Sequence, residues 1–175
     1  MKIVNIFANK LFAFQYKGEK YNELRRLLKL WSNTSYLLQF TTENKTDIPK
    51  NKRIEELIFT LIENTNEIDA NLNEIKNNPD RRLEDFFKNL NNNEYRIDIL
   101  LSKQKGRQIF YRIYALKIDN NCFVITGGAI KFHHLNKNRP HTQIEMQKLD
   151  QCRDYLKENG IIDSDSFYEF LNEEQ

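Results

Sequence analysis

The chain turns on Lys103-Gln-Lys105-Gly-Arg107-Gln-Ile-Phe110-Tyr111-Arg112-Ile-Tyr114-Ala-Leu-Lys117-Ile, then Asp119-Asn120-Asn121, then Cys122-Phe-Val-Ile-Thr126-Gly127-Gly128-Ala-Ile-Lys131. It continues Phe132-His133-His134-Leu-Asn-Lys137-Asn-Arg139-Pro140-His141. Two runs rich in β-branched and aromatic residues flank a turn-forming Asp-Asn-Asn, which predicts a β-hairpin. Residues 103–139 hold eight Lys or Arg and one acid, Asp119, although the whole chain carries a formal charge of only +2. All three histidines follow the hairpin directly.

The rest of the chain supplies helices for that hairpin. Residues 2–16 hold two short strand-like runs around Ala8-Asn9-Lys10, which predict a second hairpin. Leu24, Leu27, Leu28 and Trp31 stand at i, i+3, i+4 and i+7, one apolar helical face. After Ser32-Asn33-Thr34, the cluster Tyr36, Leu37, Leu38 and Phe40 predicts a further short helix. From Ile54 to Ile75 the apolar residues keep a period near 3.6, until Asn77-Asn78-Pro79 ends the helix. Pro79 then suits the start of another helix, with Leu83, Phe86, Phe87 and Leu90 along one side. Tyr95–Leu101 is strand-like. Thr142 with Glu145 three positions on fits a capping box for a last long helix lined by Ile144, Leu149, Cys152, Tyr155 and Leu156. Asn159-Gly160 ends it.

The expected architecture is α+β: one domain over residues 1–175, with helices packed on one face of an antiparallel sheet. Its parts are a strand-plus-helix region (1–101), the basic hairpin with its helix (102–160) and an acidic tail (161–175). The tail has five acids and no Lys or Arg, so it can serve solubility or fold back over the basic surface. No apolar run approaches the roughly 18 residues of a membrane span. The first residues lack a secretory pattern, and the two cysteines are unpatterned and read as buried thiols. The expected location is cytoplasmic, away from membranes.

Strand alternation puts positions 108, 110, 112 and 114 on one face and 107, 109, 111 and 113 on the other. Arg112 then lies among aromatics, suited to a phosphate and a stacked base. The plain alternative is a strand whose aromatics are core and whose arginine reaches solvent. Thr126-Gly127-Gly128 lacks the Gly-Lys-Ser/Thr ending of a phosphate loop. His133 and His134 are adjacent and point apart on an extended chain, with no HExxH and no Cys pair, so no metal is expected. Metal-free phosphodiester cleavage needs a base, an acid and cations for the transition state. His133, His134 and His141, with Arg112 and Lys131, can meet those needs.

The Gly-Arg-Gln-Ile-Phe-Tyr-Arg-Ile-Tyr run, the short turn, the strand ending Gly-Gly-Ala-Ile-Lys and the helix with Ile144-Glu145 and Arg153-Asp154-Tyr155-Leu156 resemble the C-terminal half of RelE/HigB-like toxins, nearest to the phage-derived HigB-like branch. The resemblance spans residues 103–157, with a longer loop after Lys131 and Pro140 placed before His141-Thr142. It implies a RelE-like core with an extended helical region. It also implies a metal-independent mRNA endoribonuclease toxin that needs no cofactor, acts on mRNA, ribosome-bound or not, and is neutralised by an antitoxin with a helix-turn-helix domain. By position Arg112 would contact the scissile phosphate and Lys131 would supply the second cation, with Tyr111 and Tyr114 flanking. Arg107, Lys137 and Arg139 would bind substrate, and His133, His134 and His141 are candidates for proton transfer. The competing expectation is a non-catalytic module that grips RNA or an acidic protein through the basic hairpin.

Overall fold

The computed structural model describes residues 1–50, 52–89, 97–99, 110–132 and 140–173. The chain opens with β1 (Lys2–Phe7) and β2 (Leu11–Gln15), an antiparallel pair. Lys10 N–H donates to Phe7 C=O at 3.1 Å, and Ala8 and Asn9 between them have φ of 53° and 51°. Both central residues are left-handed, the turn whose twist matches a hairpin. Helices α1 (Glu23–Trp31) and α2 (Thr34–Glu43) follow, each capped by an asparagine. Asn22 accepts from Arg25 N–H and Asn33 from Tyr36 N–H, so each side chain satisfies an amide that the helix leaves unpaired. The long α3 (Ile54–Asn77) turns Leu57, Ile58, Leu61, Ile68 and Leu72 inward on the expected period, with Asn64 and Thr65 buried among them.

The region after Pro79 departs from expectation. Only one helical turn forms, α4 (Leu83–Phe86), and Phe87 starts β3 (Phe87–Asn89), which pairs antiparallel with β4 (Ile97–Ile99). Contacts from across the fold hold this segment in place. Asn121, at φ 59° in the hairpin turn, accepts from Leu83 N–H at 2.6 Å and donates its own N–H to Glu84 at 2.8 Å. These bonds pin the turn to α4, and Phe87 stacks on Phe123 with ring centroids 4.9 Å apart. Leu90 lies outside the described residues.

The basic stretch forms β5 (Tyr111–Asp119) and β6 (Cys122–Ile130), an antiparallel pair as expected. The main sheet has the order β1-β2-β6-β5. It is mostly antiparallel, but β2 and β6 run parallel through Leu11–Ala13 and Phe123–Ile125. α5 (Pro140–Glu158) and α6 (Ser164–Glu173) complete an α+β fold.

The helices occupy both faces of the sheet, where the sequence suggests one. Ile113, Ala115, Phe123 and Ile125 join the residues of α1–α4 in one core. Tyr114, Leu116, Cys122 and Val124, the alternate positions, join Leu149, Cys152 and Leu156 of α5 and Phe167 of α6 in a second. A strand covered on both faces must be apolar throughout, and all nine residues of β6 are buried. The acidic C-terminal segment is no loose tail as far as Glu173, because Phe167 is fully buried with its ring 5.1 Å from that of Phe12. No helix among the described residues is long and apolar enough to cross a membrane.

Candidate functional site

Arg112 pairs with Ala129 across the β5–β6 ladder, and Lys131 stands two positions beyond Ala129. Pleat alternation therefore sets Arg112 and Lys131 on the same face, diagonally adjacent. Both are half-buried. Arg112 Nη1 donates to Tyr111 C=O at 3.1 Å, and Lys131 N–H donates to Phe110 C=O at 2.6 Å. The face they share is the one on which α5 packs.

The direction of α5 follows from its contacts with β6. Cys152 of α5 lies 3.2 Å from Tyr16 Oη, which donates to Thr126 C=O. Glu145, two turns earlier, reaches Gly128. Moving from Cys152 toward the start of α5 thus follows β6 from Thr126 to Gly128.

Tyr111 and Tyr114 do not join this surface. They are 1% and 4% exposed. Tyr111 stacks on Trp31 with centroids 4.1 Å apart, and Tyr114 lies in the core under α5. The rings expected beside a substrate are used in packing, as the plain reading of a Tyr–Arg strand had it. Phe110 faces away from Tyr114, in the core of α1–α4. Arg107, His133, His134, Lys137 and Arg139 lie outside the described residues, as does the side chain of His141.

A second cluster, missed in the sequence, lies where the two helical layers meet β6. Because Lys131 N–H points to β5, Gly128 and Ile130 direct their backbone groups the other way. Beyond Ile125, β2 no longer pairs with that side. Side chains take its place: Tyr16 Oη donates to Thr126 C=O at 2.5 Å, and Gly128 N–H donates to Glu145 Oε2 at 2.8 Å. Glu145 Oε1 accepts from Lys148 Nζ at 2.9 Å, and Lys148 reaches Glu23 of α1 at 3.3 Å. Arg26 closes the chain on Glu23 at 2.5 Å. Glu23 and Glu145 are 1% and 7% exposed, and each has the cationic partners a buried carboxylate requires.

Gly127 and Gly128 make this approach possible. A methyl group on Gly127 would overlap the Glu145 carboxylate. One on Gly128 would lie 2.8 Å from Arg112 C=O and 2.9 Å from both Leu27 and Trp31. The two glycines each admit a helix to one face of the strand, α5 and α1 respectively. Glu145 is consequently no capping-box partner: α5 already begins at Pro140, a position suited to proline. The inner face of α5 is Glu145, Leu149, Cys152 and Leu156, while Ile144 is 52% exposed. A Glu in register with Leu149, Cys152 and Leu156 is the signal that could have found it.

Burial pushes the Glu145 carboxyl above its ordinary range, against the pull of the Lys148 ammonium and the Gly128 N–H. Burial also pushes the Cys152 thiol up to about 12 and raises the Tyr16 phenol. Both groups stay protonated at neutral pH, so this cluster offers no thiolate nucleophile. Together with Leu30, Tyr36 and Phe40, Arg26 and Lys148 line a cleft of about 190 Å³ beside Gly128–Ile130.

Comparison with protein-family models, with curated proteins and with solved structures finds no match to this chain in any of the three.

Proposed function

We propose that this chain is a RelE/HigB-like toxin of a toxin–antitoxin pair that cleaves mRNA without a metal ion. The observation that carries the reading is the β5–β6 register, which sets Arg112 and Lys131 on one face of the sheet, the face that α5 covers. Two cations at that spacing suit a phosphodiester that gains negative charge at the transition state. In the reaction a base removes the proton of a ribose 2′-hydroxyl. The resulting oxygen attacks the adjacent phosphorus, and the bond to the 5′-oxygen breaks as an acid protonates that leaving group. The products are a 2′,3′-cyclic phosphate and a free 5′-hydroxyl. Arg112 and Lys131 hold the phosphate, and His141 with His133 and His134 are the candidates for proton transfer. The partners are mRNA, free or on the ribosome, and an antitoxin with a helix-turn-helix domain, all in the cytoplasm.

The test is expression and in vitro cleavage. Arg112→Ala and Lys131→Ala should each relieve growth arrest and lower RNA cleavage on the order of a hundredfold, the scale of one lost transition-state contact, with circular dichroism unchanged. Two variants as toxic as the parent would remove the assignment.

The burial of Tyr111 and Tyr114 favours a second reading, a non-catalytic module using the basic hairpin, since these rings cannot stack a base. It predicts salt-sensitive binding with intact RNA.

A further inference from the structure

We propose that the start of α1 carries a separate RNA-binding surface, built around Tyr21 from Lys20, Arg25 and Lys29. Lys20 Nζ lies 5.5 Å from the centroid of the Tyr21 ring, Arg25 Cζ 4.8 Å and Lys29 Nζ 5.2 Å. Three cations thus gather around one half-buried ring, and all three are exposed. No two of them are farther apart than two such radii, close to one screening length of about 8–10 Å. They act on a passing polyanion as one concentrated charge.

Local construction explains how they come together. The turn after β2, with Gly18 at φ 86°, delivers Lys20 and Tyr21 to the helix start, and Asn22 caps α1. Arg25 and Lys29 are one turn apart on the outer face, while Leu24, Leu27 and Trp31 face the core. Arg26, between them, turns toward the buried Glu23. No carboxylate of the described residues forms an ion pair with Lys20, Arg25 or Lys29. Like charges this close repel, and the ring's negative face only partly offsets that. A chain of phosphates offsets it: each phosphate that meets one of the three cations neutralises it and releases condensed counterions. The regular charge of RNA fits better than an acidic peptide, whose carboxylates are spaced by sequence. The inference rests on the proposed function for RNA as partner, but not on cleavage.

The experiment measures binding of full-length protein to a labelled single-stranded RNA by fluorescence anisotropy, across salt concentrations. The triple variant Lys20→Ala/Arg25→Ala/Lys29→Ala should weaken binding on the order of a hundredfold at 50 mM salt and reduce the log–log salt slope by about 2. A control triple, Lys45→Ala/Lys50→Ala/Lys76→Ala, removes the same charge from other exposed positions and should stay within about threefold of the parent. Equal losses in both triples, no loss in the first, or displacement of RNA by polyglutamate at matched charge would each overturn the surface. Cleavage read in parallel keeps the two proposals apart. A protein that binds through this surface and leaves RNA intact refutes only the nuclease, and one whose Arg112-dependent cleavage and binding both survive the α1 triple refutes only the surface.

Discussion

Glu145 of α5 accepts the backbone N–H of Gly128 at 2.8 Å, a side chain completing the edge of β6 where β2 stops. The same carboxylate holds Lys148, which also reaches Glu23 on the opposite helical layer. One ion cluster therefore ties α5 to α1 across the strand that separates them. Glu145→Ala leaves a buried N–H without an acceptor and Lys148 with one carboxylate fewer. The expected loss is about 2–3 kcal/mol, below the full value for a buried pair because Lys148 is partly solvated. Urea denaturation of the two proteins measures it, and a loss under about 0.5 kcal/mol would show that the cluster contributes little.

The titration of Glu145 has a definite sign. Burial raises its carboxyl in the folded protein above the ordinary value of 4.5. The folded state therefore holds the proton more tightly than the unfolded chain, and this group's contribution falls as pH rises from about 4.5 through the raised value. Glu145→Gln keeps an acceptor for Gly128 and lacks the titration. Its stability deficit against the parent should be largest near pH 4 and shrink toward pH 7, measured by denaturation at several pH values.

Gly127 and Glu145 should be coupled. Gly127→Ala in the parent drives a methyl into the Glu145 carboxylate, with an expected cost of about 2–3 kcal/mol. In a Glu145→Ala background that obstacle is gone, and the same substitution should cost less by at least about 1 kcal/mol. A double-mutant cycle with zero coupling would contradict the contact.

Asn64 stands on the inward face of α3 at 1% exposure, and neither polar atom of its side chain has a hydrogen-bond partner among the described residues. A buried amide without hydrogen bonds costs free energy that an apolar group of similar size does not. Asn64→Leu should raise stability by about 1 kcal/mol or more, seen as a higher melting temperature with the same spectrum.

Ala8 occupies the left-handed region at φ 53°, where its Cβ crowds the following carbonyl. Ala8→Gly should stabilise the β1–β2 hairpin by roughly 0.5–1 kcal/mol. Ala8→Val should destabilise it by more, because a β-branched side chain fits that region least. Thermal melts of the two variants should move in opposite directions.

Local elements were legible because their causes are local. The 3.6 period of Leu24, Leu27 and Trp31 is the face that α1 buries, and Asp119-Asn120-Asn121 is a turn between β5 and β6. The α+β class followed from the order of such elements. Two helical layers were not legible, because alternation along β5 states that two faces exist but not that both are covered. Phe87 belongs to a strand because its ladder partner Ile99 and the Phe123 ring it stacks on both lie farther along the chain.

The candidate site divides along the same line. Arg112 and Lys131 stand out from composition and strand position alone, and the ladder register settles that they share a face. Tyr111 and Tyr114 looked equally available, but burial is a property of what packs above a strand, and Trp31 and α5 cover them. Glu145 looked like a capping residue because Thr142 stands three positions before it. Its real partner, Gly128, is 17 residues earlier and meets it only when α5 folds back along β6. Spacing along the chain determines which residues can form a turn or a helical face. Which charge ends up buried, and against what, is decided only when distant segments displace the water between them.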